Sequence, residues 1–132
     1  MKRNTTYLCG GINGLSDADC KDWRETAKEM LHTATLDPMS RDYRGREDEC
    51  VNEIVEGDKE DIRNSNFLLV NVTRPSWGTA MEIPYAWGLD IPIIAFCLDP
   101  KVRISPWLRY HCTSIWPSVE VACNEINRFN QI

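Results

Sequence analysis

The chain has 132 residues, 15 Lys and Arg against 20 Asp and Glu for a net charge of −5, 42% hydrophobic residues and six Cys. That length suits one domain spanning residues 1–132, and a chain of this size buries roughly 68% of its unfolded surface, enough for one core without staples. The acidic balance argues against a phosphate-tracking nucleic-acid surface, whose affinity comes from Lys and Arg, and leaves a small ligand or a protein as the expected partner.

The longest uncharged apolar run, Ile91 to Leu98, is far short of the ~20 residues needed to cross a bilayer, and the polar start Met1 to Thr6 leads into no signal-peptide stretch. A cytoplasmic protein with no membrane association is expected. Cys9, Cys20, Cys50, Cys97, Cys112 and Cys123 form no C-x-x-C pair, which argues for reduced thiols and against a zinc site. His111-Cys112 reads as packing or surface.

Residues 6–9 form a short apolar segment ending in Gly10-Gly11, then Asn13-Gly14 and Ser16-Asp17 as a helix N-cap. The pattern predicts strand, glycine turn and a helix over about 17–32, with Ala18, Trp23, Ala27, Met30 and Leu31 at near-helical spacing. A strand at 34–36 ends at Asp37-Pro38, and a charged loop at 40–46 precedes a helix over about 47–64 carrying Val51, Ile54, Val55 and Ile62 on one face. The run 67–72 is continuously apolar except for Asn71, as expected of a strand buried on both faces. A break at 75–78, a helix at 79–89 and a second buried strand at 92–97 follow. A one-turn element at 106–110, a strand at 113–116 and a helix at 118–129 complete the chain. Strict alternation of strand and helix predicts an α/β fold: a parallel sheet with helices on both faces, right-handed crossovers, and a ligand at the carboxyl ends of the strands.

Two carboxylates stand where carboxylates are expensive. The stripe 51, 55, 58, 62 places Asp58 among apolar residues, and the stripe 82, 85/86, 89 does the same for Glu82. An uncompensated buried charge costs several kcal/mol, so such groups are paired or functional. For Asp58 an N-cap or a structural ion pair is the plain alternative. Glu82 falls near a helix N-terminus just after a strand end, where the dipole is expected to keep it ionised. Gly10-Gly11 and Gly78-Thr79 follow strands on which exposed N–H groups can meet an anion, so a ligand carrying phosphate or sugar oxygens is expected.

Tyr7-Leu8-Cys9-Gly10-Gly11-Ile12, Asp58 in a helix before a buried strand, and the segment Val72 to Glu82 (VTRPSWGTAME) resemble the nucleoside 2-deoxyribosyltransferase family, most closely its 2′-deoxynucleoside 5′-monophosphate N-glycosidase branch. The resemblance implies a flavodoxin-like, Rossmann-like three-layer sandwich with a five-stranded parallel sheet, a homodimer or higher homo-oligomer with shared active sites, and no metal or cofactor. It implies Glu82 as the nucleophile that attacks the anomeric carbon, Asp58 as the group that protonates or positions the leaving base, and Tyr7 as the residue that orients the glutamate. Ser76 stands where transferases of free nucleosides carry an acidic residue. A hydroxyl can donate to a phosphate that a carboxylate would repel. The resemblance implies that Ser76, with the backbone of Gly10 and Gly11, holds a 5′-phosphate that Ser105 reaches from a neighbouring subunit, and Ile12, Trp77 and Gly78 are expected among the substrate-binding residues.

Departures from the branch are Asn13 where an arginine is common, which Arg41, Arg44 or Arg46 could replace unless they form a solvated face, Asn66 for an aspartate, and Pro84 two residues after the glutamate. A proline there implies a helix that starts later or is kinked. Of five tryptophans, Trp77 could stack on a base or cover the core, Trp23, Trp87 and Trp116 are expected in the core, and Trp107 at a subunit interface. The rival expectations are a nucleotide-sensing module without turnover and cleavage of the nicotinamide bond of NAD.

Overall fold

Five strands, β1 (Thr5–Cys9), β2 (Ala34–Leu36), β3 (Phe67–Asn71), β4 (Ile93–Phe96) and β5 (Ser114–Trp116), alternate with helices α1 (Asp17–Met30), α2 (Val51–Arg63), α3 (Trp77–Gly88), α4 (Pro106–His111) and α5 (Val119–Asn130) in a computed structural model that describes residues 4–131. The start Met1 to Arg3 and Ile132 lie outside the described residues. All neighbouring strands pair parallel in the order β2-β1-β3-β4-β5. This is the flavodoxin-like order, and its switch point falls between β1 and β3, where chain direction leaves a crevice at the carboxyl ends.

Period-two alternation divides each strand between two cores. Leu8, Leu69, Ile94 and Phe96 face Trp23, Ala27, Ala122 and Ile126 of α1 and α5. Tyr7, Cys9, Leu68, Val70, Ile93 and Ala95 face Ile62, Ile83 and Ala86 of α2 and α3. The central strands are buried on both faces, as their unbroken apolar runs require. Each flanking α helix except α2 starts on a serine cap: Ser16, Ser76, Ser105 and Ser118 accept from backbone N–H groups of the first turn.

Several expectations change. The helix expected over 47–64 is a short 3-10 turn, Glu47–Glu49, followed by α2. Val51 (55% exposed) and Val55 (43%) do not join the core, because α2 docks on the sheet through its C-terminal end at Ile62. α3 begins at Trp77 rather than Thr79, since Ser76 accepts the Thr79 N–H and starts the helix there, so Pro84 lies inside the helix and the expected later start is not found. Its buried face is Thr79, Ile83 and Ala86, with Glu82 at the edge of that face and Leu89 exposed. Trp23 is buried and Trp116 packs against the core, but Trp87 is exposed because α3 covers the sheet with its opposite side. Ala18 is exposed as well; the buried face of α1 is Cys20, Trp23, Arg24 and Ala27. All six cysteines are free thiols.

Candidate active site

β1 carries Tyr7 and Cys9 on the same face, two residues apart, and α3 lays Glu82 across them. The Tyr7 hydroxyl donates to Glu82 Oε2 at 2.5 Å and the Cys9 thiol to Oε1 at 3.7 Å, so each carboxylate oxygen has a donor from one strand. Burial pushes the Glu82 pKa up to about 7 and nearby Asp58 raises it too, while the Tyr7 and Cys9 hydrogen bonds and the Arg24 charge pull it down. Desolvation thus outweighs the helix N-terminus that was expected to keep Glu82 ionised. At neutral pH the carboxyl is about half protonated. The same burial, with Glu82 beside them, holds Tyr7 and Cys9 protonated, as donors must be.

Asp58 faces this group from α2. It is not an N-cap, but it does form the ion pair that was the other plain alternative: Arg41 Nη2 meets Asp58 Oδ1 at 3.3 Å and Asp61 Oδ2 at 2.8 Å. Burial raises the Asp58 pKa against the opposing pull of Arg41. A cavity of about 200 Å³ lies over these groups, with Gly10, Ile12, Ser76, Gly78, Asp58 and Glu82 in its wall. Arg41 and Arg44 from the 40–46 loop line it also, and both are ion-paired, Arg44 with Asp42 and Asp17, so neither belongs to a freely solvated face. Arg46 instead lies over the Tyr43 ring.

Gly11, Trp77 and Ser105 stand apart from Glu82. They line a second, wider groove of about 720 Å³, on the other side of the Ser76–Thr79 turn, with Trp107 and Leu108. Trp77 is 89% exposed and Trp107 78% exposed. Ser76 lines both spaces. Its Oγ accepts the Thr79 N–H at 3.3 Å, which leaves its own O–H free to donate. Gly10 is required sterically, because a Cβ there would stand 2.8 Å from Trp23 Cζ2, whereas a Cβ at Gly78 would meet nothing within 4 Å.

Three contributing residues escape sequence patterning to different degrees. Cys9 was signalled by its spacing of two from Tyr7. Arg24 shares helical spacing with Cys20 and Ala27; it is fully buried, donating to the carbonyls of Cys20 at 2.6 Å and Gly10 at 3.1 Å beneath the glycine turn, with Asp37 Oδ1 3.5 Å from Nε. Arg41 lies in a loop without periodicity and gave no signal of its contact with Asp58. Among the described residues no group of three or more His, Cys, Asp and Glu is placed to hold a metal ion, and no helix is long and apolar enough to cross a membrane.

Comparison with known structures gives the 2-deoxyribosyltransferase of Bacillus psychrosaccharolyticus, at 14% identity and a TM-score of 0.73 over 93% of this chain and 90% of that one. The enzyme of the same kind from Leishmania mexicana shares 19% identity, with a TM-score of 0.70 over 95% and 97%. A 3-dehydroquinate dehydratase-like protein from Bifidobacterium longum is more distant, at 14% identity and a TM-score of 0.52 over 98% of both chains. These likenesses establish the flavodoxin-like fold. Curated protein sequences give no match. The family model for nucleoside 2-deoxyribosyltransferase matches residues 6–115, which contain both carboxylates, Tyr7 and the whole Ser76 turn. The chain belongs to the nucleoside 2-deoxyribosyltransferase family.

Proposed function

We propose that this protein is a single-domain enzyme that cleaves the N-glycosidic bond of a 2′-deoxynucleoside 5′-monophosphate, with Glu82 as nucleophile. The observation that carries the proposal is the carboxylate held by two donors from β1 in a cavity that Asp58 also lines. Glu82 forms a bond to the anomeric carbon as the C–N bond breaks and its electron pair passes to the base. The base takes a proton from the Asp58 carboxyl group. Water then attacks the same carbon, gives its proton to Asp58 and frees Glu82, making a hydrolase; a second base attacking there makes a transferase. Splitting one displacement into two gives each step a neighbouring carboxyl group.

The 5′-phosphate is assigned to Ser76 and the turn at Gly10 to Ile12, where a hydroxyl and glycine backbone stand in place of an acidic side chain. No cofactor or metal takes part in this scheme. Ser105, Trp107 and Trp77 on the wide groove are assigned to contact with a second copy in a homodimer or higher oligomer, with Ser105 completing the partner's phosphate site, and the protein to the cytoplasm.

Chromatography of products separates the outcomes. Wild-type protein with a panel of deoxynucleoside monophosphates is expected to release free base, and Glu82→Ala to release none while remaining folded; activity retained by that variant overturns the nucleophile. Adding a second free base distinguishes exchange from hydrolysis. Ser76→Asp keeps a good helix cap but places a negative charge at the phosphate site, so it is expected to shift preference from the monophosphate to the free nucleoside. An unchanged preference removes Ser76 from phosphate recognition.

A further inference from the structure

Asp58 stands on a helix whose N-terminal half barely touches the sheet, with Val51 and Val55 exposed, yet the proposed chemistry needs its carboxyl group held steady over Glu82. Packing alone does not supply that restraint. The contact that does comes from the loop after β2. Pro38–Arg41 forms a 3-10 turn capped by Asp37, and Arg41 reaches from it to span Asp58 Oδ1 (3.3 Å) and Asp61 Oδ2 (2.8 Å) on successive positions of one face of α2. Just before them, at Gly57, the helix has no side chain. A Cβ there would lie 3.0 Å from Arg41 Nε and 3.4 Å from Cζ. The guanidinium therefore lies flat on bare helix backbone, a placement that a side chain at position 57 would obstruct.

We propose that Arg41 is a positioning residue that fastens the 38–46 loop to α2 and orients Asp58 toward the leaving base, and that Gly57 is the bare helix position that admits it. This rests on the proposed glycosidase chemistry for its kinetic consequence, though the contact itself does not. Arg41 also lines the cavity with Met39 and Tyr43, so the same side chain joins the loop's part of the cavity wall to Asp58. Both carboxylates are met by the one nitrogen Nη2, and the rigid planar guanidinium fixes where that nitrogen stands, whereas a lysine carries its charge on a flexible stem. The charged and titratable groups that face Asp58 are Arg41 from the loop, Tyr7 from β1, Asp61 from its own helix and Glu82 from α3. Asp58 and Glu82 interact, and removing the cation that meets Asp58 raises the Asp58 pKa.

The test uses Arg41→Gln, Arg41→Lys and Gly57→Leu, each checked by its melting curve, with kcat and KM measured across pH on the best deoxynucleoside monophosphate and with carboxyl 13C titration of Asp58. Arg41→Gln is expected to lower kcat about tenfold to a hundredfold with a smaller change in KM, and to move the pH profile and the Asp58 titration upward by about one unit. Arg41→Lys keeps the charge, so the profile stays in place while kcat falls. Gly57→Leu, which restores a good helix former and leaves Arg41 in the chain, is expected to reproduce the Arg41→Gln phenotype without loss of stability. An Asp58 titration that does not move in Arg41→Gln, or wild-type kinetics in Gly57→Leu, overturns the proposal. A wild-type protein that releases no base instead overturns the glycosidase chemistry, and the 13C titration then still decides whether Arg41 acts on Asp58.

Discussion

Two hollows meet at the Ser76–Thr79 turn, and they differ in how many charged side chains stand in their walls. The smaller, about 200 Å³, is walled by Asp58, Glu82, Arg41 and Arg44. The larger, about 720 Å³, is lined by Trp77, Pro75, Val102, Ile104, Trp107 and Leu108. Size would point to the second as the working site, but the perturbed carboxyl group and its donors belong to the first. Reactivity comes from a charge taken out of water and held by fixed donors, which Glu82 with Tyr7 and Cys9 supplies at the smaller cavity. The groove has the aromatic character of an association surface. Trp87 and Tyr110 extend it, each meeting the His111 ring edge-on.

The comparison breaks most directly at Glu82. Replacing it with Ala is expected to lower base release on the order of 10⁴-fold with the fold retained, read by product chromatography and circular dichroism; a comparable loss from a groove residue alone would reverse the assignment of roles. Next comes Tyr7→Phe, which removes the hydroxyl on Oε2. A loss of about a hundredfold in kcat is expected, and the acid limb of the pH–rate profile moves above pH 7, because that hydrogen bond holds the Glu82 pKa down. Pre-steady-state and pH-dependent rates check both.

A stability measurement sharpens the contrast. Glu82 has a pKa raised by burial to about 7 from 4.5, so between those values the folded state binds more protons than the unfolded one, and stability falls as pH rises through the interval. Glu82→Gln removes the charge, so the variant is expected to exceed wild type by up to ~3 kcal/mol at pH 8, with no charge-derived difference below about pH 4. Urea melts at the two pH values read this out. The smallest effect is expected from Trp107→Ala, which truncates an exposed side chain and should shift monomer stability by no more than ~0.5 kcal/mol. If the groove is where copies meet, the same change lowers the mass seen by light scattering.

Asn13 and Pro84 looked like departures that could disable the site. Asn13 lies on the rim of both hollows, and Pro84, within α3, leaves Glu82 against Tyr7 and Cys9. Local pattern tells where a residue departs from expectation but not whether the neighbouring contacts survive it.

The order of strands and helices could be read from the chain alone, because two-sided burial leaves unbroken apolar runs such as Leu68 to Val70, and because serine caps and glycine turns mark where elements begin. Asp58 and Glu82 stand out in the chain as carboxylates on expected apolar stripes, although Val51, Val55 and Leu89 of those stripes are exposed, and Tyr7 is legible through the resemblance carried by residues 7–12. Which of them touch was decided by tertiary structure. The sheet brings β1 beside β3 and lays α3 over both, so a strand tyrosine and cysteine meet a helix glutamate 75 and 73 residues away. Desolvation then overrode the dipole argument for Glu82. Arg24 beneath the glycine turn and Arg41 across Gly57 belong to the same class of result. Arg24 does share helical spacing with Cys20 and Ala27, but what a long flexible cation meets depends on where a distant carboxylate or carbonyl has been put by the rest of the fold.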